Sequence, residues 1–133
     1  MFTFNSRVNF FNCDPAGIMF FAEAFKFAHA AYENFLSNIC PEIDFFNHPD
    51  IILPIIKANA EYLNPLKQGD EITITVSVTR LLEKSFELTY NIYNKENNLC
   101  VIVETVHVCV SKQTFKKIQL DENLKQKLTE ITL

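Results

Sequence analysis

The sequence predicts an α+β fold in which an antiparallel sheet wraps one long helix. The clear helix is the segment AEAFKFAHAAYENFL at 22–36, which holds five Ala and neither Gly nor Pro. Two later segments, 72–79 and 86–93, alternate apolar with polar residues, which is typical of half-buried strands. The length of 133 residues fits one domain, and we expect that domain to span 1–133.

The chain opens with a strand and a turn. Residues 3–10 alternate loosely and end in apolar side chains, which predicts a first strand, and residues 12–17 form a turn before the helix. On the helix itself, apolar residues recur at helical spacing. We expect this stripe to be the core face of the helix: Phe21, Phe25, Ala28, Tyr32 and Phe35.

After the helix, the pattern predicts strands joined mostly by short turns. The predicted elements are a loop at 37–50, a strand at 53–63, a turn at 64–70, the two alternating strands, a hairpin turn at 94–98, a β-branched strand at 100–110 and a helix at 121–128. Asp121 is placed to cap the last helix. The order is therefore β-α-β-β-β-β-α, and one sheet can bury the apolar stripe of the long helix.

The composition excludes several classes of function. The net charge is −4 with no basic stripe, so nucleic acid is not expected as a partner. No apolar run is long enough to span a bilayer and no secretory leader opens the sequence, so we expect a cytoplasmic protein without a membrane partner. The four cysteines have no metal-binding spacing and are expected to be reduced packing thiols: Cys13, Cys40, Cys100 and Cys109.

Asp14 is the candidate reactive group, because the turn places its carboxylate just before the long helix. A helix start offers unpaired N–H groups and a partial positive charge, which can stabilise a carbonyl oxygen that gains negative charge. A nearby carboxylate can attack that carbonyl or deprotonate a water that does so. The same residue also fits a plain turn or helix cap. Gly17 and Gly69 are the only glycines, so a positive φ or a close approach of the backbone is expected at both.

The turn resembles the signature of a known enzyme family. FNCDPAGIMFF at 11–21 is similar to the Asp-x-Ala-Gly-Ile/Val motif of the hotdog-fold acyl-CoA thioesterases of the 4-hydroxybenzoyl-CoA thioesterase type. The likeness continues through HAAYENFL at 29–36, LPIIKANAEYLNPLKQGDEI at 53–72, EKSFELTYNIY at 83–93 and HVCV at 107–110. Within the family these segments are most similar to the 1,4-dihydroxy-2-naphthoyl-CoA hydrolases, while the turn is equally similar to the 4-hydroxybenzoyl-CoA thioesterases.

The resemblance implies a set of roles for particular residues. Asp14 matches the family's catalytic carboxylate, and Gly17 matches the glycine that lets the chain approach the thioester. Phe21 matches the aromatic position whose backbone N–H polarises the thioester carbonyl. Neither a metal nor a redox cofactor is implied. A dimer or a homotetramer with sites at the subunit interfaces is implied, because hotdog domains pair their sheets edge to edge.

Further positions are candidates for binding the substrate. His29 occupies the place from which an acid contacts the ring hydroxyl in 4-hydroxybenzoyl-CoA thioesterase, and it fits the His-x-Ala-Tyr-Glu pattern of the dihydroxynaphthoyl-CoA hydrolases. Glu61 lies where the family places its cleft and can orient water or pair with a lysine. Lys84 and Ser85 match a position that often holds the CoA phosphates. Ala22 stands where many short-chain members have His, which disfavours a short-chain substrate.

The resemblance and the residues together predict an acyl-CoA thioesterase with Asp14 as nucleophile or general base. An aromatic acyl group is the preferred substrate class. The alternatives are a short- or medium-chain acyl-CoA thioesterase and a non-catalytic hotdog module that binds acyl-CoA. A dehydratase is disfavoured, because no His lies at the helix entry.

Overall fold

The computed structural model describes residues 1–132 and follows the predicted order, with two short strands added. The elements are β1 (Phe2–Arg7), α1 (Glu23–Ile39), β2 (Ile51–Ile52), β3 (Ile55–Tyr62), β4 (Glu71–Leu81), β5 (Ser85–Tyr93), β6 (Leu99–Val108), β7 (Val110–Ser111) and α2 (Glu122–Ile131). Five of the strands form one antiparallel sheet in the order β1-β4-β5-β6-β3, and β2 pairs with β7 separately. The sheet packs around α1, as the sequence predicts.

The alternating segments became the centre of the sheet. In β4, the apolar members of the alternation are buried and face the core, as Ile72, Ile74 and Val76 show. β5 repeats this pattern through Phe86, Leu88, Tyr90 and Ile92, which lie opposite the inward residues of β4 and β6. Because side chains alternate between the two faces of a strand, the pattern fixes which face meets α1.

The predicted core face of α1 is partly wrong. Phe35 and Ala28 are buried as predicted, but the buried face is centred on Ala24 and Ala31, and Phe21 is 62% exposed. Small side chains let the helix axis approach the sheet closely, so the ring of Phe21 stays on the flank beside β3. The helix also runs to Ile39, three residues beyond the predicted end.

Three strand boundaries differ from the predicted ones. β1 ends at Arg7, and the next apolar residues form a one-turn 3-10 helix, Phe10–Asn12, with Phe10 exposed. Pro54 separates β2 from β3 because proline has no N–H to donate within a sheet. Cys109 interrupts the long β-branched run, which is therefore split between β6 and β7.

The predicted cap of α2 is confirmed, and three of the four cysteines pack in the core as predicted. The carboxylate of Asp121 accepts the N–H of Leu124 at 3.0 Å and caps α2. Cys40, Cys100 and Cys109 are fully buried, and burial raises the pKa of the Cys40 thiol to about 11, which suits an inert packing group. Within the described chain, neither helix is long and apolar enough to cross a membrane.

Candidate active site

A tight loop between β1 and α1 holds the candidate carboxylate. The carbonyl of Asn12 accepts the N–H of Phe20 at 2.8 Å and closes the base of the loop. Inside it, the N–H of Asp14 donates to the carbonyl of Ile18 at 3.0 Å, and the N–H of Gly17 donates to the carbonyl of Asp14 at 2.9 Å. Gly17 has a φ of +82°, a conformation that strains residues with a Cβ. The loop therefore depends on the glycine that the sequence places there.

The Asp14 side chain is half-buried at the rim of a cavity of about 360 Å³. Its Oδ1 accepts the N–H of Ala16 at 2.9 Å, which orients the carboxylate. Among residues 1–132, Oδ2 has no hydrogen-bond partner and is available to a ligand. The other polar side chains that line this cavity are those of Tyr62 and Asn64, and the rest of the lining is apolar.

The start of α1 lies at the same cavity and presents free donors. Phe20 and Phe21 line the cavity, and Ala22 is the N-cap residue but has no side chain that can accept a hydrogen bond. Within the described residues, the N–H groups of Phe21 and Ala22 have no acceptor, whereas that of Glu23 donates to the carbonyl of Phe20 at 2.9 Å. Two free donors therefore lie at a helix N-terminus beside the cavity that Asp14 lines, and such donors can stabilise an oxyanion.

A buried polar contact joins the loop to the helix. The amide of Asn12 donates to Oε1 of Glu23 at 3.0 Å, and Lys26 lies 3.1 Å from Oε2. The Asn12 hydrogen bond lowers the pKa of Glu23, and the nearby Lys26 acts in the same direction. The sequence pattern did not predict this pair, although an acidic residue in the first turn of a helix is a recognisable signal.

Tyr62 closes the cavity from the sheet side. It lies at the end of β3, opposite Val101 of β6, and its hydroxyl donates to the carbonyl of Phe21 at 2.5 Å. Burial raises the pKa of Tyr62, so its hydroxyl keeps its proton. This contact joins residues 41 positions apart, and the sequence pattern held no sign of it.

A second cavity of about 470 Å³ lies further along the groove between α1 and β3. Its lining includes Phe25, His29, Ile55, Ala58, Tyr90 and Thr105. Phe21 and His29 are eight positions apart, which corresponds to about 12 Å along the helix. His29 is exposed, and its ring lies against Tyr32 and Phe46.

The remaining predicted binding residues lie elsewhere in the single chain. Glu61 is opposite Ile102, on the outer face of β3, whereas Tyr62 faces α1. Lys84 is exposed in the turn before β5, and Ser85 pairs with Val108 at the far end of β6. From Val101 to Val108 the strand covers about 24 Å, so one chain does not bring Lys84 and Ser85 beside Asp14.

Three polar side chains contact one another in the buried interior. Thr105 Oγ1 lies 3.1 Å from the Tyr90 hydroxyl and 2.7 Å from Nε2 of His107, which is fully buried. Within residues 1–132, no group of three or more His, Cys, Asp or Glu side chains is arranged to hold a metal ion.

Comparison with known proteins identifies the family. The sequence profile of the Thioesterase-like superfamily matches residues 8–128. The chain belongs to this superfamily. A 1,4-dihydroxy-2-naphthoyl-CoA hydrolase of Thermosynechococcus vestitus is 31% identical over 91% of this chain and 84% of the relative. Another from Microcystis aeruginosa is 38% identical over 84% of this chain and 81% of the relative.

A solved structure shows the same architecture. A 1,4-dihydroxy-2-naphthoyl-CoA thioesterase from Synechocystis superposes with a TM-score of 0.89 at 26% identity, covering 97% of this chain and 96% of the other. The predicted hotdog fold and the predicted class, a thioester hydrolase, are thereby confirmed. The roles of Asp14, Gly17, Phe21, His29, Glu61, Lys84 and Ser85 stay predictions.

Proposed function

We propose that this chain folds as a single hotdog domain and hydrolyses the CoA thioester of an aromatic acid, with 1,4-dihydroxy-2-naphthoyl-CoA as the first candidate. The observation that carries the proposal is that Asp14 and the start of α1 line one cavity. The carboxylate supplies the reactive oxygen, and the free N–H groups at the start of α1, those of Phe21 and Ala22, donate hydrogen bonds to the thioester oxygen as it gains negative charge. Gly17 keeps the loop close enough for the thioester to reach both.

Two chemical routes are compatible with this arrangement. In the first, Oδ2 of Asp14 attacks the thioester carbon, the C–S bond breaks, CoA leaves as a thiolate that gains a proton, and water hydrolyses the resulting anhydride. In the second, Asp14 takes a proton from a water molecule, which attacks the same carbon and expels the thiolate. Both routes give the free acid and CoA, and both require the carboxylate to be ionised.

The aromatic preference rests on the relatives and on the walls of the groove. The relatives from Thermosynechococcus vestitus and Microcystis aeruginosa are dihydroxynaphthoyl-CoA hydrolases. Phe20 and Phe21 line the Asp14 cavity, and Phe25 lines the next one, so a flat ring finds apolar and aromatic partners along the groove. 4-Hydroxybenzoyl-CoA is the second aromatic candidate.

A panel of thioesters tests the substrate class. We expect release of free thiol from naphthoyl-CoA and benzoyl-CoA esters with kcat/KM at least about tenfold above that for hexanoyl-CoA. A flat ring can pack on the Phe side chains that line the groove, and each aromatic pair contributes about 0.5–1.5 kcal/mol beyond its buried area. Faster turnover of hexanoyl-CoA would favour the short- or medium-chain alternative. Binding of every ester without thiol release would favour the non-catalytic module.

A second copy of the chain completes the proposed site. β3 is an edge strand of eight residues whose outward groups are unpaired within the described chain, and Ile55, Ile56 and Tyr62 on it are exposed. Such an edge is a template for pairing with another strand. Antiparallel pairing of two β3 strands places the Lys84 and Ser85 end of one copy beside the Asp14 end of the other. This supports a homodimer, from which a tetramer can be built, and it gives the CoA phosphates a cation near the carboxylate.

Charge fixes the register of this proposed pair. A two-fold axis at Asn59 puts Lys57 of one copy opposite Glu61 of the other, and repeats the pair on the far side of the axis. Both side chains lie on the outer face of the sheet and are exposed, so the pair sets register more than stability. In this arrangement, Glu61 acts in assembly and does not touch the substrate.

Charge reversal tests the register. We expect Lys57→Glu to weaken the dimer about tenfold, because like charges then face each other twice, and Lys57→Glu/Glu61→Lys to restore it. Analytical ultracentrifugation across a concentration series measures both constants. Lys95→Glu, in the exposed turn after β5, is the matched control. A double variant as weak as the single variant would exclude this register.

A further inference from the structure

The hydroxyl of Tyr62 holds one particular peptide group at the proposed site. It donates at 2.5 Å to the carbonyl of Phe21, the residue before the N-cap of α1. The only other donor to that oxygen in the described residues is the N–H of Ala24, at a long 3.3 Å. We propose that Tyr62 is a positioning residue for thioester hydrolysis, which orients the Phe21–Ala22 peptide so that its N–H points at the substrate oxygen. This inference rests on the proposed function.

The planarity of the peptide bond carries the argument. In a trans peptide, the carbonyl of Phe21 and the N–H of Ala22 point in opposite directions within one plane. A hydrogen bond that fixes the carbonyl therefore also fixes the N–H. Accepting a hydrogen bond also polarises the peptide, which makes the N–H on its other side a stronger donor.

The ordinary device for ordering a helix start is absent at this position. A Ser, Thr, Asp or Asn at the N-cap would satisfy the first N–H groups with its own side chain. Ala22 cannot do so, and the N–H groups of Phe21 and Ala22 stay without acceptors among residues 1–132. The Tyr62 hydroxyl orders the same turn by binding the carbonyl of Phe21, so the N–H donors are held in place and left free.

Substitution of Tyr62 can test this role without disturbing the cavity. Its ring lines the cavity that contains Asp14, and β3 holds its backbone through the pairing with Val101. Tyr62→Phe removes the hydroxyl and keeps the ring, so cavity shape and strand pairing are preserved. Tyr93→Phe is the matched control, because the hydroxyl of Tyr93 has no hydrogen bond in the described chain and its residue lies on β5, away from the cavity.

Steady-state kinetics and amide NMR test the inference together. We expect Tyr62→Phe to lower kcat about tenfold with KM changed less than twofold, since a misaligned donor loses part of the stabilisation of the oxyanion. The amide resonance of Ala22 should move upfield in Tyr62→Phe, and Tyr93→Phe should match the wild type in both measurements.

Two results would overturn the inference: unchanged kcat in Tyr62→Phe, or a lower kcat with the Ala22 resonance unmoved. If the wild-type protein hydrolyses no thioester, the proposed function fails and the catalytic role of Tyr62 fails with it. The Ala22 resonance still shows, in that case, whether Tyr62 orients the peptide, so the two failures are distinguishable.

Discussion

Asp14→Asn is expected to lower kcat for thioester hydrolysis by 10²- to 10⁴-fold, the range typical of losing a catalytic acid or base. The amide has the size of the carboxylate, and its oxygen can still accept the N–H of Ala16, so the loop is preserved. The free Oδ2 is replaced by an NH₂ group, which neither attacks a carbonyl nor accepts a proton from water. Thiol release under saturating substrate measures the loss.

The chain contains a close control for this substitution. Asp44 makes the same local contact, because its Oδ1 accepts the N–H of Phe46 at 3.0 Å in an exposed turn. Asp44→Asn should keep wild-type kcat, since Asp44 lies outside the Asp14 cavity. Binding of a non-hydrolysable CoA thioether should be similar in all three proteins. An Asp14→Asn protein with more than half of the wild-type kcat would leave Asp14 as a turn residue only.

The parts of the molecule that the sequence predicted well are those that local patterns determine. Each strand of the β4–β5 hairpin has its own alternation, and its inward residues follow from that alternation alone. The turn with Asp14 and Gly17 is likewise local, because the hydrogen bonds within it join residues two to eight positions apart and its positive φ needs glycine.

The rotation of α1 could not be predicted in the same way. Its apolar residues cover more than one face, and the choice between the Phe21–Phe25 side and the Ala24–Ala31 side depends on how closely the helix approaches the sheet. Close approach buries the alanines and leaves Phe21 beside the cavity. The difference matters for the proposed function, because a buried Phe21 would close the start of α1 to a ligand in the Asp14 cavity.

Contacts between distant segments could not be predicted from the sequence either. Tyr62 and Phe21 meet because β3 is the outermost strand of the sheet beside α1, which follows from topology and from no motif. The Asn12–Glu23 hydrogen bond joins the loop to the helix in the same manner. Local sequence therefore predicted the candidate reactive group, whereas the elements that position it could be found only from the fold.

His107 is another residue whose contacts come from distant segments, and these contacts affect the stability of the protein. Its ring is fully buried, stacked on Phe86 at 4.8 Å and against Tyr32 at 4.4 Å. Nε2 contacts Thr105, while Nδ1 has no well-formed hydrogen bond in the described chain. Burial lowers the pKa of His107 to about 3, the nearby His29 acts in the same direction, and the backbone of Leu53 opposes them only weakly.

Acid is therefore expected to destabilise the protein through His107. An unfolded histidine has a pKa of about 6.5. Below that pH, the unfolded chain therefore binds a proton that the native ring does not bind. The free energy of unfolding then falls by about 1.4 kcal/mol per pH unit until the native pKa is reached. Between pH 6.5 and pH 4 this amounts to roughly 3 kcal/mol, a large share of the stability of a domain.

His107→Phe isolates this effect, because it keeps a flat ring between Phe86 and Tyr32 and cannot titrate, and Thr105 retains the Tyr90 hydroxyl. Urea unfolding at pH 7 and pH 4 should show a loss of stability in the wild type that exceeds the loss in His107→Phe by roughly 3 kcal/mol, since the carboxylates titrate alike in both. His48→Asn, in the loop before β2, should keep the wild-type loss because His107 is intact. Equal losses in the wild type and His107→Phe would contradict this prediction. They would mean that the native ring accepts a proton as readily as the unfolded one, despite its buried position between two aromatic rings.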